Sequence, residues 1–181
     1  MAEYLSPNFT LEEMIYSDTA RAKKINNSPT EAHKKVLKHT CQYLLEPLRA
    51  LLNEKYKTYK GKKVKQVGLK VTSGYRSAAL NAAIPGSSKT SQHCKGEAAD
   101  LQAKIVFTDG ASVTLPYTEL YENIKQWVRE KKLSVDQCIQ EHSSNGGTWV
   151  HASHSAWGKS KDRRQFLKYL NGKYTLDVDL A

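Results

Sequence analysis

Between Glu31 and about Lys57 the apolar residues Val36, Leu37, Cys41, Leu44, Leu45, Leu48, Leu51 and Leu52 recur at three- and four-residue steps. That spacing lays one buried stripe along a long amphipathic helix, and Pro47 within it predicts a kink or a division in two. Upstream, Thr10 to Glu13 read as a helix start. Thr10 caps the amide of Glu13, Glu13 reaches back, and Phe9 staples onto Met14. Asn26 to Pro29 interrupt the pattern, and Thr30 or Ser28 opens the second helix. From Gly61 the period changes. Val64 to Ser73 alternates and is rich in β-branched residues, as a strand is. A short helix at Ser77 to Ala83 and a loop from Pro85 to Ser88 follow. Ala98 to Val106 is apolar enough for a central strand, and Asp109-Gly110 turns it into Ser112 to Leu115. Tyr117 to Lys131 has helical periodicity through Leu120, Ile124, Trp127 and Val128. Val135 to Glu141 and Thr148 to Ser153 read as two strands joined by the turn-rich His142 to Gly147.

The order predicts an α+β fold, with N-terminal helices packed on a small, mostly antiparallel sheet. One domain is expected over 1–181, divided into a helical part (1–60), a sheet with the polar site (61–155) and a C-terminal tail segment (156–181). With 39% hydrophobic and 25% charged residues, the chain has the composition of an ordinary globular protein able to bury a core. No apolar run reaches the ~18 residues of a membrane span. The first twenty residues lack a basic start and an apolar block, so no secretory signal is expected and release would depend on another factor. Cys41, Cys94 and Cys138 are odd in number and widely spaced, which argues against a disulfide framework. Cys94 follows a histidine of interest, but adjacent residues rarely reach one ion together. The net charge of +10 attracts anionic polymers, the bacterial wall among them. The basic residues are scattered and do not interleave with aromatics along one recognisable binding element, so no specific nucleic acid is expected. A monomer is expected.

The informative segment is Ser91-Gln92-His93-Cys94-Lys95-Gly96-Glu97-Ala98-Ala99-Asp100. Gly96 permits a tight turn, so His93 in a loop and Asp100 on the next strand can aim at one point. A borderline cation such as zinc accepts nitrogen and oxygen donors, and His151 in Thr148-Trp149-Val150-His151 offers the third. Three protein donors leave the fourth tetrahedral position to water, as in catalytic rather than structural zinc sites.

The flanking residues sharpen this reading. Ser73-Gly74-Tyr75-Arg76-Ser77, Asn81, the Ser-x-His-x-x-Gly-x-Ala-x-Asp run from Ser91 to Asp100, and Trp149-Val150-His151 together resemble the zinc D-Ala-D-Ala carboxypeptidases. The phage L-alanyl-D-glutamate endopeptidases and the vancomycin-resistance dipeptidases are relatives, and the hedgehog signalling domain shares their fold and zinc site. The resemblance covers roughly Ser6 to Ser153 and includes the start from Asn8 to Met14.

The resemblance implies one zinc ion on His93, Asp100 and His151, a substrate-carboxylate arginine at Arg76 and a substrate-contacting serine at Ser91. Gln92 is a further candidate donor to the substrate, and Trp149 a candidate wall of its groove. Many family members carry a glutamate three residues before the last histidine; here that position is Thr148. Glu141 is the best substitute as general base, because a register pairing it with Trp149 puts carboxylate and imidazole on one sheet face. Glu97 and Asp136 are weaker candidates, expected as exposed charge. His142 and His154 are expected at the surface, His33 and His39 as ordinary polar positions, and Trp127 and Trp157 as packing residues. The implied function is endolysin-like hydrolysis of a peptidoglycan stem peptide bond, acting at the wall after release. The alternative is a non-catalytic, zinc-stabilised module that binds wall or protein.

Overall fold

The computed structural model describes residues 2–155, 162–170 and 172–180. A short antiparallel pair, β1 (Tyr4–Ser6) and β2 (Phe9–Thr10), leads into α1 (Leu11–Ile15). The capping box between Thr10 and Glu13 forms, and Phe9 and Met14 are both buried. After α2 (Asp18–Ala22), α3 (Glu31–Thr40) is capped by Thr30, whose hydroxyl accepts from the His33 amide. Pro47 does divide the long helix. Residues Cys41–Leu45 wind as a π-turn, with the Glu46 amide donating to the Cys41 carbonyl, before α4 (Glu46–Lys55) begins. Proline has no N–H to donate and crowds the carbonyl four residues back, and the wider turn accommodates both defects. The stripe survives the change of winding: Leu37, Cys41, Leu44, Leu45, Leu48 and Leu52 are sealed from solvent. Each such leucine contributes about 2 kcal/mol of burial.

The rest of the chain runs β3 (Thr58–Tyr59), β4 (Lys62–Ser73), α5 (Ala78–Ala83), a 3-10 turn at Gln92–Lys95, β5 (Ala98–Phe107) and β6 (Ser112–Thr114). Then come α6 (Tyr117–Arg129), β7 (Gln137–His142), β8 (Thr148–Ser153), β9 (Gln165–Leu170) and β10 (Lys173–Asp179). Among the described residues eight strands form one sheet in the order β10-β9-β7-β8-β5-β4-β3, with β6 on β5. The β7–β9 pair is parallel and the remaining pairs are antiparallel. The sheet is thus larger than expected and mixed. The cause is the segment read as a tail, which adds β9 and β10 beside β7. Its signal was present: Gln165–Leu170 is rich in apolar and aromatic residues and Lys173–Asp179 alternates, on either side of Asn171-Gly172, a strong hairpin dipeptide. No described helix is long and apolar enough to cross a membrane.

Strand alternation sorts the two faces of the sheet. In β5, Ala99, Leu101, Ala103, Ile105 and Phe107 join the helical leucines in the core. Asp100 lies on the other face. Pairing extends that face as a row: Asp100 opposite His151, His151 opposite Ile139, Ile139 opposite Leu167, and Leu167 opposite Leu176. The neighbouring row is Trp149, Glu141, Tyr169 and Tyr174.

Candidate metal centre

Two sequence motifs are clamped together at the end of β4. The Tyr75 amide donates to the Met14 carbonyl (2.7 Å), and a Cβ on Gly74 would collide with that same oxygen. Only glycine permits this approach. The Gly74 carbonyl then accepts from His93 Nδ1 (2.6 Å), and the Arg76 amide donates to the His93 carbonyl (3.1 Å). Ser91 opens the 3-10 turn, its hydroxyl accepting from the His93 amide, and Gly96 closes it at φ +79°. That left-handed conformation favours glycine. The buried Thr40 hydroxyl ties the turn to α3 by donating to the Gly96 carbonyl (2.8 Å).

These contacts aim His93 at β5. Its Nε2 lies 3.1 Å from His151 Nδ1 and 3.3 Å from Asp100 Oδ1, and the latter two are 3.1 Å apart. Tetrahedral zinc with donors at ~2.0–2.1 Å holds any two of them about 3.3 Å apart, so the triangle fits that ion. The Gly74 carbonyl can only accept, so His93 carries its hydrogen on Nδ1 and turns the Nε2 lone pair inward. This is the outer contact that metal-bound histidines normally have. All three residues are buried, at 3%, 5% and 7% exposure for His93, Asp100 and His151. Burial opposes ionisation of Asp100, but His93 and His151 outweigh it and hold the carboxyl well below the usual range. Cys94 is not among the clustered donors.

Arg76 Nη2 donates to Asp100 Oδ2 (2.9 Å) and its Nε to Ser73 Oγ (3.0 Å). The guanidinium expected to grip a substrate carboxylate thus also fixes the second oxygen of Asp100. Glu141 lies opposite Trp149, in the expected register. Burial first, and then the charge of Asp100, push its carboxyl up to about 7, against opposing contributions from His151 and Arg76. Arg76, Ser91, Gln92, Glu141 and Trp149 all border one cleft of about 1370 Å³ with the three clustered residues.

Other expectations changed. Asp136 is buried, not exposed, and sits in the fork of Arg163, whose Nη2 donates to Asp136 Oδ2 at 2.6 Å. The Gln92 side-chain amide donates to the same carboxylate (3.0 Å). His142 is half-buried beside Tyr117 and borders the cleft. His154 is half-buried too, because its Nδ1 meets Asp162 Oδ2 at 2.7 Å and its ring stacks on His39. His33 bonds the Tyr75 hydroxyl (3.2 Å). Trp127 is buried, as expected of a packing residue; Trp157 lies outside the described residues. Sequence reasoning missed Arg163, Tyr169 and Tyr174, which line the same cleft.

The sequence model of the peptidase M15 family matches residues 7–112. The chain belongs to the peptidase M15 family. Its members are zinc-dependent peptidases, and the donor set of this M15 chain suits that ion. The matched span contains His93 and Asp100 and ends before Glu141 and His151, which the β7–β8 hairpin brings to them. No curated protein and no solved structure matches the chain significantly.

Proposed function

We propose that this M15 protein is a zinc peptidase that hydrolyses a peptide bond in bacterial peptidoglycan stem peptides. His93, Asp100 and His151 would hold the ion, and Glu141 is the general base. The observation that carries the reading is the buried triangle of these three donors, 3.1–3.3 Å on an edge, with Glu141 on the same sheet face. Zinc bound there would supply Lewis-acid polarisation of the scissile carbonyl and acidify a water molecule.

The protein's own residues do the rest. The Glu141 carboxylate takes the proton of the attacking water and later delivers it to the leaving amine. Glu141 pairs with Trp149 on the sheet face that carries His151, so its carboxylate stands on the side where that transfer takes place. Arg76 keeps Asp100 oriented and brings positive charge to the cleft for a substrate carboxylate or carbonyl. Ser91 and Gln92 border the reaction centre as candidate substrate contacts, with Gln92 held in place by Asp136. Trp149 walls the cleft beside Glu141. The basic surface charge suits an anionic wall polymer.

The test is digestion of purified peptidoglycan with and without a chelator, followed by zinc restoration and mass spectrometry of the new termini. New peptide termini that vanish with chelator and return with zinc are expected. Zinc uptake with no new termini would assign the protein to the non-catalytic binding alternative.

A further inference from the structure

The metal cluster does not account for the C-terminal hairpin of β9 and β10. Tyr174 and Leu176 are 55% and 60% exposed, two large apolar side chains at alternate positions of β10. The rings of Tyr169 and Tyr174 are in contact, with centroids 4.5 Å apart. They continue the row of Trp149 and Glu141, and both border the cleft that holds the triangle of donors. The hairpin is firmly anchored. Asp177 on its opposite face accepts from the buried Lys125 Nζ (2.7 Å) and from the Tyr121 hydroxyl (2.9 Å).

The occupant follows from chemistry, granted the reading of the cleft as a peptidoglycan peptidase site. Stem peptides carry small or charged side chains, of which only an ammonium group meets a tyrosine face, as a point contact that leaves most of a two-ring platform uncovered. The amino sugar to which the stem is attached has apolar C–H faces rimmed by hydroxyl and acetamido groups. A tyrosine, with its flat apolar body and polar tip, matches that surface. Strand spacing sets the reach: β9 and β10 lie two and three strands from His151, about 10 and 14 Å. At ~3.3–3.6 Å per extended residue, an amino sugar sits about 10 Å from the first bond of its stem and about 20 Å from the last.

We propose that Tyr169 and Tyr174 form a saccharide subsite that stacks the amino sugar bearing the stem peptide, so that cleavage falls at the glycan-proximal end. Two soluble substrates test this with the zinc-loaded protein: a GlcNAc-MurNAc-tetrapeptide, and the same tetrapeptide N-acetylated without sugar. In the unaltered protein kcat/KM for the glycosylated substrate is expected to be about tenfold higher, the scale of one aromatic contact. Tyr174→Ala removes that advantage through KM and leaves the sugar-free peptide unchanged, whereas Tyr174→Phe retains it. Equal rates on the two substrates in the unaltered protein, or equal losses on both in Tyr174→Ala, would overturn the subsite.

Binding of the GlcNAc-MurNAc disaccharide alone, followed by tyrosine ring signals in NMR, reads the subsite without turnover. Shifted Tyr174 signals with neither substrate hydrolysed would uphold the subsite and sink the peptidase reading. Unshifted signals with active hydrolysis would do the reverse. A dimer in sedimentation that dissociates in Tyr174→Ala would assign the platform to a second copy of the chain and overturn the proposal.

Discussion

Replacing Glu141 by glutamine in the metal-free protein isolates the electrostatics of the cleft. The Glu141 carboxyl is raised from an ordinary 4.5 to about 7, by burial first and the Asp100 charge second. A raised carboxyl favours the protonated form in the folded state. Its stability is therefore fully present below about 4.5 and is lost as pH rises through about 7. At 1.36 kcal/mol per pH unit, the ionisation cost is about 0.8 kcal/mol at pH 5 and about 3.3 kcal/mol at pH 8. Glu141 borders an open cleft, and water there halves the expected effect. Glutamine has the same shape and no charge. Glu141→Gln should therefore gain about 1–1.5 kcal/mol over the unaltered protein between pH 5 and pH 8. Urea denaturation of both proteins with chelator present measures it, since every other titrating group is shared. Saturating zinc should close the gap, because a nearby cation favours the carboxylate. A gap that is flat with pH, or that widens toward acid, refutes the reasoning.

His93→Ala should abolish the zinc-induced rise in thermal midpoint that Glu141→Gln retains; equal responses in the two variants would remove His93 from the metal site. Arg76→Met leaves Asp100 Oδ2 without its partner and should weaken zinc binding about 10–100-fold in competition with a chelating indicator. Unchanged affinity would leave Arg76 to the substrate alone. Gly74→Ala drives a Cβ into the Met14 carbonyl and displaces the oxygen that orients His93. It should cost about 3 kcal/mol or more in chemical denaturation and lower zinc affinity as well. A folded variant of normal stability would show that α1 gives way instead.

Local rules made the N-terminal half legible. The stripe from Leu37 to Leu52, the Thr10 capping box and the role of Pro47 each depend on residues within a turn or two of one another. The donors were legible for a different reason: His93 and Asp100 flank a glycine within eight residues, and the surrounding motif resembles a family whose membership the match over 7–112 bears out. The C-terminal hairpin has an equally local signal, in Asn171-Gly172 and the alternating run from Lys173 to Asp179, but its strands lie beyond the recognised motifs.

By itself the sequence determined which side chains alternate to which face, where helices start, and that imidazole and carboxylate donors are available. Only the tertiary structure decided what those groups meet. Asp136 is a charged residue in a polar stretch until β9 brings Arg163 against it, and Arg76 is a free guanidinium until β4 and β5 pair beside it. Likewise Tyr169 and Tyr174 join the cleft through the parallel β7–β9 pairing, which no local spacing encodes. The physical reason is that backbone propensity acts over a few residues, whereas burial and ion pairing depend on strands brought together from distant positions.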